Sequence, residues 1–177
     1  MAQKTLHATV VAVCLMLSAC VAPRTGVSLR VAVAPDANDR TPVPVDVVFV
    51  WDNELLEKVG ALTAADWFAA KPQFRQDDPL HRALTVCEWE WVPGQAVPDI
   101  DLTVPVAARR WIRGVFLFTN YRAAGAHRLT VTPGTVAQIE LRRDDTVLRT
   151  LGKTPAAADG ALVDACEAPP SQARTSS

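Results

Sequence analysis

The residues whose type and spacing predict a chemical modification lie near the start of the chain, in Leu17-Ser18-Ala19-Cys20. A positive charge at Lys4 and an apolar run from Ala8 to Leu17 precede them, which is the pattern of a secretory signal peptide. The run is well short of the ~20 residues with which a helix spans a bilayer. Small residues directly before a cysteine are typical of a bacterial lipobox. We therefore expect cleavage before Cys20 and acylation of both its thiol and the new amine.

Several acyl chains on one residue would hold the protein stably on a membrane, because a single chain gives only marginal binding. Val21 follows the cysteine where an inner-membrane retention signal usually has Asp. We therefore expect sorting to the outer membrane of a Gram-negative bacterium, with the folded domain facing the periplasm. The alternative is an ordinary cleaved signal peptide followed by an unmodified cysteine.

The remaining sequence has the composition of one globular domain. Residues 20–177 are enough for a single hydrophobic core, and a formal net charge of −1 gives no basic footprint for nucleic acid. We divide the chain into a signal peptide (1–19), a lipidated tether (20–26), a β-rich domain (27–151) and a C-terminal segment (152–177). That last segment is rich in Ala, Pro, Ser and Thr, and we expect it to be a flexible tail.

After processing, with Cys14 removed and Cys20 acylated, two cysteines keep a thiol, Cys87 and Cys166, in an oxidising compartment where disulfides persist. One interpretation is a disulfide between them, which would hold the C-terminal segment against the sheet. The other is a buried apolar thiol at Cys87, on a strand, and a free thiol at Cys166 in the tail.

Patterns of catalytic and metal-binding residues are missing from the sequence. His81 and His127 have no metal-ligand spacing, and no Cys-x-x-Cys, glycine-rich phosphate loop or nucleophile elbow occurs. Glu88 and Glu90 lie two apart on a predicted strand, which is typical of a solvated face. As the acids of a cell-wall hydrolase they would have to converge in a pocket. We therefore expect no enzyme activity, no metal and no cofactor.

Short alternating apolar runs, separated by turn signals, predict about eight strands. Pro105 cannot donate to a strand ladder, so the fourth predicted strand either lies at a sheet edge or ends at that residue. Strands at this spacing without crossover helices predict a mainly β fold, an antiparallel two-sheet β-sandwich. The predicted strands are residues 28–33, 45–51, 82–92, 100–106, 111–119, 128–131, 135–141 and 146–148.

A small helical insertion is predicted after the second strand, over about residues 53–71. Asn53 is the expected N-cap of its first helix. Thr63 is the expected N-cap of the next, with Asp66 completing a capping box, and Pro72 is expected to end it. We expect these helices to lie across one end of the sandwich.

The tryptophans are one candidate binding feature. Aromatic rows on a sheet can stack flat ligands, so a periplasmic or surface ligand-binding lipoprotein is an alternative function. Most of these tryptophans are at positions that face the predicted core, which favours the other interpretation, that they fill the interior of the sandwich. The five residues are Trp51, Trp67, Trp89, Trp91 and Trp111.

The loop between the first two strands, residues 36–44, is the other candidate. Its prolines lower the entropy lost on docking, and Asp36, Asn38, Asp39 and Arg40 offer polar contacts. A plain polar connection is the alternative interpretation of this loop.

Several short motifs occur in a recognisable order. After the lipobox come Pro35-Asp36-Ala37-Asn38 behind the first strand, Ala64-Ala65-Asp66-Trp67-Phe68 in the helical insertion, and Tyr121-Arg122 behind the strand 115–119. This order resembles the TssJ family, the lipoproteins of the bacterial type VI secretion system. Pro93-Gly94-Gln95 departs from the family's Pro-Gly-Glu turn. The cysteine pair and the segment after residue 152 also lie outside the family pattern.

The resemblance implies a transthyretin-like β-sandwich and no reaction. It implies an outer-membrane lipoprotein that tethers a multimeric secretion complex by binding the periplasmic domain of the inner-membrane protein TssM. It assigns that contact to the loop after the first strand. The corresponding residues here are Asp36, Ala37, Asn38, Asp39, Arg40, Thr41 and Pro42.

Overall fold

The computed structural model describes residues 24–80, 82–105, 111–153 and Cys166. The predicted signal peptide, Cys20, His81 and most of the predicted tail lie outside the described residues. Eight strands and three helices are found within them. The strands are β1 (Arg24–Val33), β2 (Val43–Val50), β3 (Leu84–Trp91), β4 (Ile100–Pro105), β5 (Gly114–Thr119), β6 (Arg128–Val131), β7 (Thr135–Leu141) and β8 (Thr146–Lys153). The helical segments are α1 (Ala37–Arg40), a single turn that is left-handed at Asn38 and Asp39, α2 (Asn53–Ala61) and α3 (Ala64–Asp77). None within the described residues is long and apolar enough to cross a membrane.

The strands form two four-stranded sheets, β4-β1-β7-β8 and β3-β2-β5-β6. The predicted mainly β sandwich with helices after the second strand is confirmed, and β4 does lie at an edge. Every neighbouring pair is antiparallel except β1 and β7, which are parallel. The reason is that the turn after β6 returns the chain to the end where β1 begins, and Gly134 N–H donates to Gly26 O there at 2.6 Å.

Alternate residues of both sheets fill the space between them. The inward-facing side chains are mostly Val, Leu and Ile, which suit a pleated, buried surface. This central core is built from Val27, Leu29, Val45, Val47, Phe49, Cys87, Trp91, Leu102, Val115, Leu117, Val131, Ala137, Ile139 and Leu141, with smaller contributions from the loops.

The two longer helices cover the outer face of the second sheet, so the expectation that they lie across one end is wrong. Val48 and Val50 of β2 and Phe116 and Phe118 of β5 point to that face and pack with Trp67 of α3. The rings of Trp67 and Phe118 stack with their centroids 5.0 Å apart. β2 is therefore buried on both faces, and its outward apolar side chains require the helices as a cover.

Four of the tryptophans are explained by packing. Trp67 and Trp91 are fully buried, and Trp51 and Trp89 are partly buried against the central core. Trp111 alone among them is largely exposed, just before β5. The described residues therefore present no aromatic sheet face to a flat ligand.

The helix boundaries confirm one sequence signal and correct two. Thr63 and Asp66 form the predicted reciprocal capping box. The N-cap of α2 is Asp52, not Asn53, because its carboxylate accepts from the N–H groups of residues 54 and 55 at 2.8 and 3.1 Å. Pro72 lies inside α3, which continues to Asp77. Side chains on both sides of the proline bind the sheet, which offsets the hydrogen bond that it removes.

The strand directions give the sandwich two distinct ends. The tether end is where β1 begins, within the last three residues of the predicted tether, and where β2 finishes and β5 starts. The loop end is where β1 finishes, and it carries the β1–β2, β3–β4, β5–β6 and β7–β8 connections. β1 therefore connects the tether end directly to the β1–β2 loop.

A buried carboxylate holds α3 against the sheet. Asp46 of β2 is 2% exposed, and its Oδ2 accepts from Trp67 Nε1 at 2.8 Å and lies 3.0 Å from Lys71 Nζ. Lys71 also reaches Glu88 at 3.0 Å, and Glu88 in turn pairs with Arg75. Burial raises the pKa of the Asp46 carboxyl, while the hydrogen bonds from Trp67 and Lys71 and the charge of Lys71 oppose the rise.

We expect Asp46→Ala to lower the free energy of unfolding by about 3 kcal/mol, because it leaves the indole N–H buried without its acceptor and Lys71 without its buried partner. Urea denaturation measures this. The control is Asp99→Ala, which removes a surface pair with Arg30 at 3.2 Å and should cost less than about 0.5 kcal/mol. Equal losses in the two variants would contradict a special role for Asp46.

Candidate protein-interaction site

The β1–β2 loop contains a left-handed turn. Asn38, Asp39 and Arg40 of α1 have φ values of 47°, 51° and 63°. Asn and Asp tolerate this region better than other non-glycine residues, because their short side chains form local hydrogen bonds. Three successive residues in this conformation need support from the rest of the fold, and the structure provides it through Asn38.

Asn38 is the residue that fixes the loop. It is 3% exposed; its Nδ2 donates to Pro42 O at 3.0 Å, and its Oδ1 accepts from the backbone N–H of Arg122 at 2.8 Å. Its own N–H donates to Arg142 O at 3.3 Å. One side chain thus joins the β1–β2 loop to the β5–β6 connection, and the backbone joins it to the β7–β8 turn.

Two motifs that carry the family resemblance meet at this point. Asn38 closes the Pro35-Asp36-Ala37-Asn38 segment, and Arg122 closes Tyr121-Arg122, 84 positions further along the chain. Ala34 O, directly before the loop, also accepts from Gly94 N–H at 3.2 Å. Residues from all four connections of the loop end are therefore brought together here.

The seven loop residues singled out in the sequence divide into two groups. Ala37 and Asn38 are buried, so their side chains support the loop from below. The side chains of Asp36, Asp39, Arg40 and Pro42 are exposed, and Thr41 is half-buried with its Oγ1 donating to Asn38 O at 2.6 Å. The surface that the loop offers to a partner is therefore small, polar and held in one conformation.

Acidic and basic groups alternate across this surface. Asp39 Oδ1 lies 2.8 Å from Arg143 Nε, and this pair raises the pKa of the Arg143 guanidinium. Arg142 Nη2 lies 2.9 Å from Glu140 Oε2. Both pairs are exposed, so solvent screens the attraction within each pair and they add little to the stability of the fold. Their main effect is on the distribution of charge over this surface. A surface that carries both positive and negative groups orients a protein partner of complementary charge.

The other candidate chemistry finds no support in the described residues. Glu88 is held by Lys71 and Arg75, whose hydrogen bonds and charges lower its pKa despite the opposing effect of burial. A carboxyl with a lowered pKa stays ionised and is a poor general acid. Glu90, on the same face, is exposed. No group of three or more His, Cys, Asp or Glu side chains that could hold a metal ion occurs among the residues described.

The sulfur atoms of Cys87 and Cys166 lie at disulfide-bonding distance. Cys87 is fully buried in the central core, and Cys166 packs against that core. The two residues are 79 positions apart. The arrangement is the one that the disulfide interpretation requires, and it would hold the chain near Cys166 beside β3.

The partners of two charged residues were missed at the sequence level, those of Asp46 beneath α3 and of Arg143 beside the β1–β2 loop. Asp46 could have been identified from the sequence, because it is an acid within the apolar run of β2. A buried strand tolerates a charged side chain only when that side chain has a partner. Arg143 has no such signal, because it adjoins two acids in a turn and its partner Asp39 lies 104 positions away.

Comparison with known proteins shows a likeness in fold. The T6SS lipoprotein TssJ1 from Pseudomonas aeruginosa aligns with a TM-score of 0.51 and 15% identity over 75% of this chain and 99% of that chain. Serratia marcescens Lip, a membrane-bound component of the Type VI Secretion System, aligns with a TM-score of 0.48 and 17% identity over 76% of this chain and 100% of that chain. No protein-family model and no curated protein matches the sequence. The described chain and TssJ1 share a fold.

We expect Asn38→Gly to lower the free energy of unfolding by about 2 kcal/mol, because two buried hydrogen bonds lose their side-chain partner. Asn38→Ala should lose about 1 kcal/mol more, because alanine also resists positive φ. Denaturation curves give both values, and hydrogen exchange should quicken at the Arg122 amide in both variants. Unchanged exchange at that amide would contradict the role of Asn38.

Proposed function

We propose that this chain is a type VI secretion lipoprotein, held in the outer membrane through acylated Cys20, that binds the periplasmic domain of a TssM-like inner-membrane protein. The observation that carries the proposal is the fold shared with TssJ1 across nearly the whole of that chain, together with the lipobox. The protein would act as a tether and would catalyse no reaction. It would serve within a multimeric membrane complex of the secretion machine.

The geometry of the sandwich supports this arrangement. Cys20 precedes Arg24, the first residue of β1, by four positions, so a lipid on Cys20 would lie near the tether end. β1 has ten residues, and at ~3.3 Å per residue it separates the two ends by about 30 Å. The β1–β2 loop would thus face away from the outer membrane, toward a partner that comes from the inner membrane.

The fixed conformation of the loop suits it for capture of a partner. A flexible loop loses conformational freedom on binding, and this cost lowers the affinity. Here the hydrogen bonds of Asn38 have already removed that freedom, so Asp36, Asp39 and Arg40 are held in place before the partner arrives. Anchoring to the membrane adds a high effective concentration, so the contact itself need not be tight.

Cys20→Ser should leave the domain folded but release it from the membrane fraction, and secretion through the machine should be lost at native expression. Fractionation and a secretion assay measure this. Cys14→Ser is the matched control, because Cys14 leaves with the predicted signal peptide and its change should have no effect. Normal secretion by the soluble Cys20→Ser protein would refute the anchoring role.

A double variant, Asp36→Ala with Arg40→Ala, should weaken co-purification of the TssM-like partner at least about tenfold, because truncation of a side chain that is central to an interface costs about 2 kcal/mol or more. Neither side chain carries a hydrogen bond that supports the loop among the described residues, so the unfolding free energy should stay the same.

The matched control is Glu57→Ala with Lys58→Ala, which removes an exposed acid and base from α2, away from the loop. Its co-purification should equal that of the unchanged protein. Full co-purification by the loop variant would place the contact elsewhere on the protein.

A further inference from the structure

We propose that the tether end of the sandwich rests on the phospholipid surface, with Trp111 in the interfacial layer and Arg113 on lipid phosphates. This inference rests on the acylation of Cys20 proposed above, which would bring that end to a bilayer. It adds a second, noncovalent contact with the membrane, and it assigns a role to the one tryptophan that packing does not explain.

Exposed apolar side chains concentrate at the tether end. Of the four large hydrophobic residues that are strongly exposed among those described, three lie there: Leu80 at 67%, Trp111 at 62% and Leu151 at 48%. Leu80 precedes β3, Trp111 precedes β5, and Leu151 is near the finish of β8. Only Val92, at 53%, lies at the loop end. β3 and β8 are edge strands of different sheets, so the three side chains are spread across this end, as contact with a broad, flat partner such as a bilayer allows.

The segment before β5 holds Trp111 toward solvent. Ile112 packs against the central core, whereas its neighbours Trp111 and Arg113 are exposed. Arg113 N–H donates to Val50 O at 2.8 Å, which fixes this segment to the last residue of β2. A tryptophan has an apolar body and a polar N–H, so it is favoured at the boundary between lipid and water.

Charge selects which side of this end would face the lipid. Arg113 and Lys153 are exposed on the strand side, whereas the helix side carries the exposed acids Asp52, Glu54 and Asp77 and one exposed base, Arg82, so among the described residues it stays net acidic. Guanidinium groups bind phosphate with paired hydrogen bonds, and phosphate is present in both zwitterionic and anionic headgroups. The strand side would therefore approach the bilayer, and the acidic helix termini would be turned away.

The length of the tether agrees with this contact. Four residue steps separate Cys20 from Arg24, and a fully extended chain covers at most ~3.6 Å per residue, so the lipid would lie within about 14 Å of β1. Within that distance even a weak surface contact would be populated, because the anchor makes it intramolecular. A bilayer is therefore the occupant to which we assign the surface, in preference to a second copy of the chain.

The test uses the full acylated protein in vesicles of phosphatidylethanolamine and phosphatidylglycerol whose acyl chains carry bromine, a short-range quencher of tryptophan fluorescence. Trp111 is one of five tryptophans, so we expect a loss of about a fifth of the emission. Trp111→Phe should remove most of the quenching, because the other four are buried or packed against the core, including Trp51, which follows β2 at the same end.

Arg113→Gln should reduce the quenching, and Arg149→Gln, an exposed arginine within β8, should not. Flotation of the protein with the vesicles is measured in the same samples. Protein that floats but shows no bromine quenching, or the same quenching after Trp111→Phe, would overturn the surface contact and leave the anchor standing. Protein that does not float would overturn the acyl anchor and this inference with it.

Discussion

The burial of β2 on both faces is the constraint on which the rest of the structure depends. One row of its side chains fills the space between the sheets, and the other requires a cover on the outside. The helical insertion directly after β2 supplies that cover, with Trp67 placed over the sheet. Asp46 is the one charge in this doubly buried strand, and its two partners, Trp67 and Lys71, both come from α3. The polar contact therefore fixes the position of the same helix whose apolar side chains close the second core.

Much of the fold was predictable because its strands follow a period of two and its turns contain the expected residues. The capping box of Thr63 and Asp66 was also readable, since both partners lie within one turn of sequence. The placement of α2 and α3 was not, because the outward-facing residues of β2 and β5 do not say which segment covers them. Pro72 was misleading, since the local propensity of proline predicts that the helix ends there. The helix continues because Lys71, Phe74 and Arg75 make contacts with distant parts of the fold, which the local sequence does not show.

The loop shows a second limit of sequence reasoning. Composition indicated the loop of residues 36–44 as a surface for partners, but it could not separate the residues that face outward from those that support them. Asn38 is as polar as its neighbours, yet it is buried because its hydrogen-bonding groups meet partners on a distant connection. A left-handed turn of three non-glycine residues is likewise set by the surrounding fold, since the local preference of each residue opposes it.

The position of β1 within its sheet bears on how the molecule carries load. β1 is an interior strand, with β4 on one side and β7 on the other. If a membrane pulls on one terminus of this strand and a binding partner on the loop at its opposite terminus, the tension runs lengthwise through a single segment. Rows of hydrogen bonds on both flanks then resist together, in shear, where an edge strand could be peeled away one bond at a time. A domain built in this way can remain folded under a force applied between the two ends of β1.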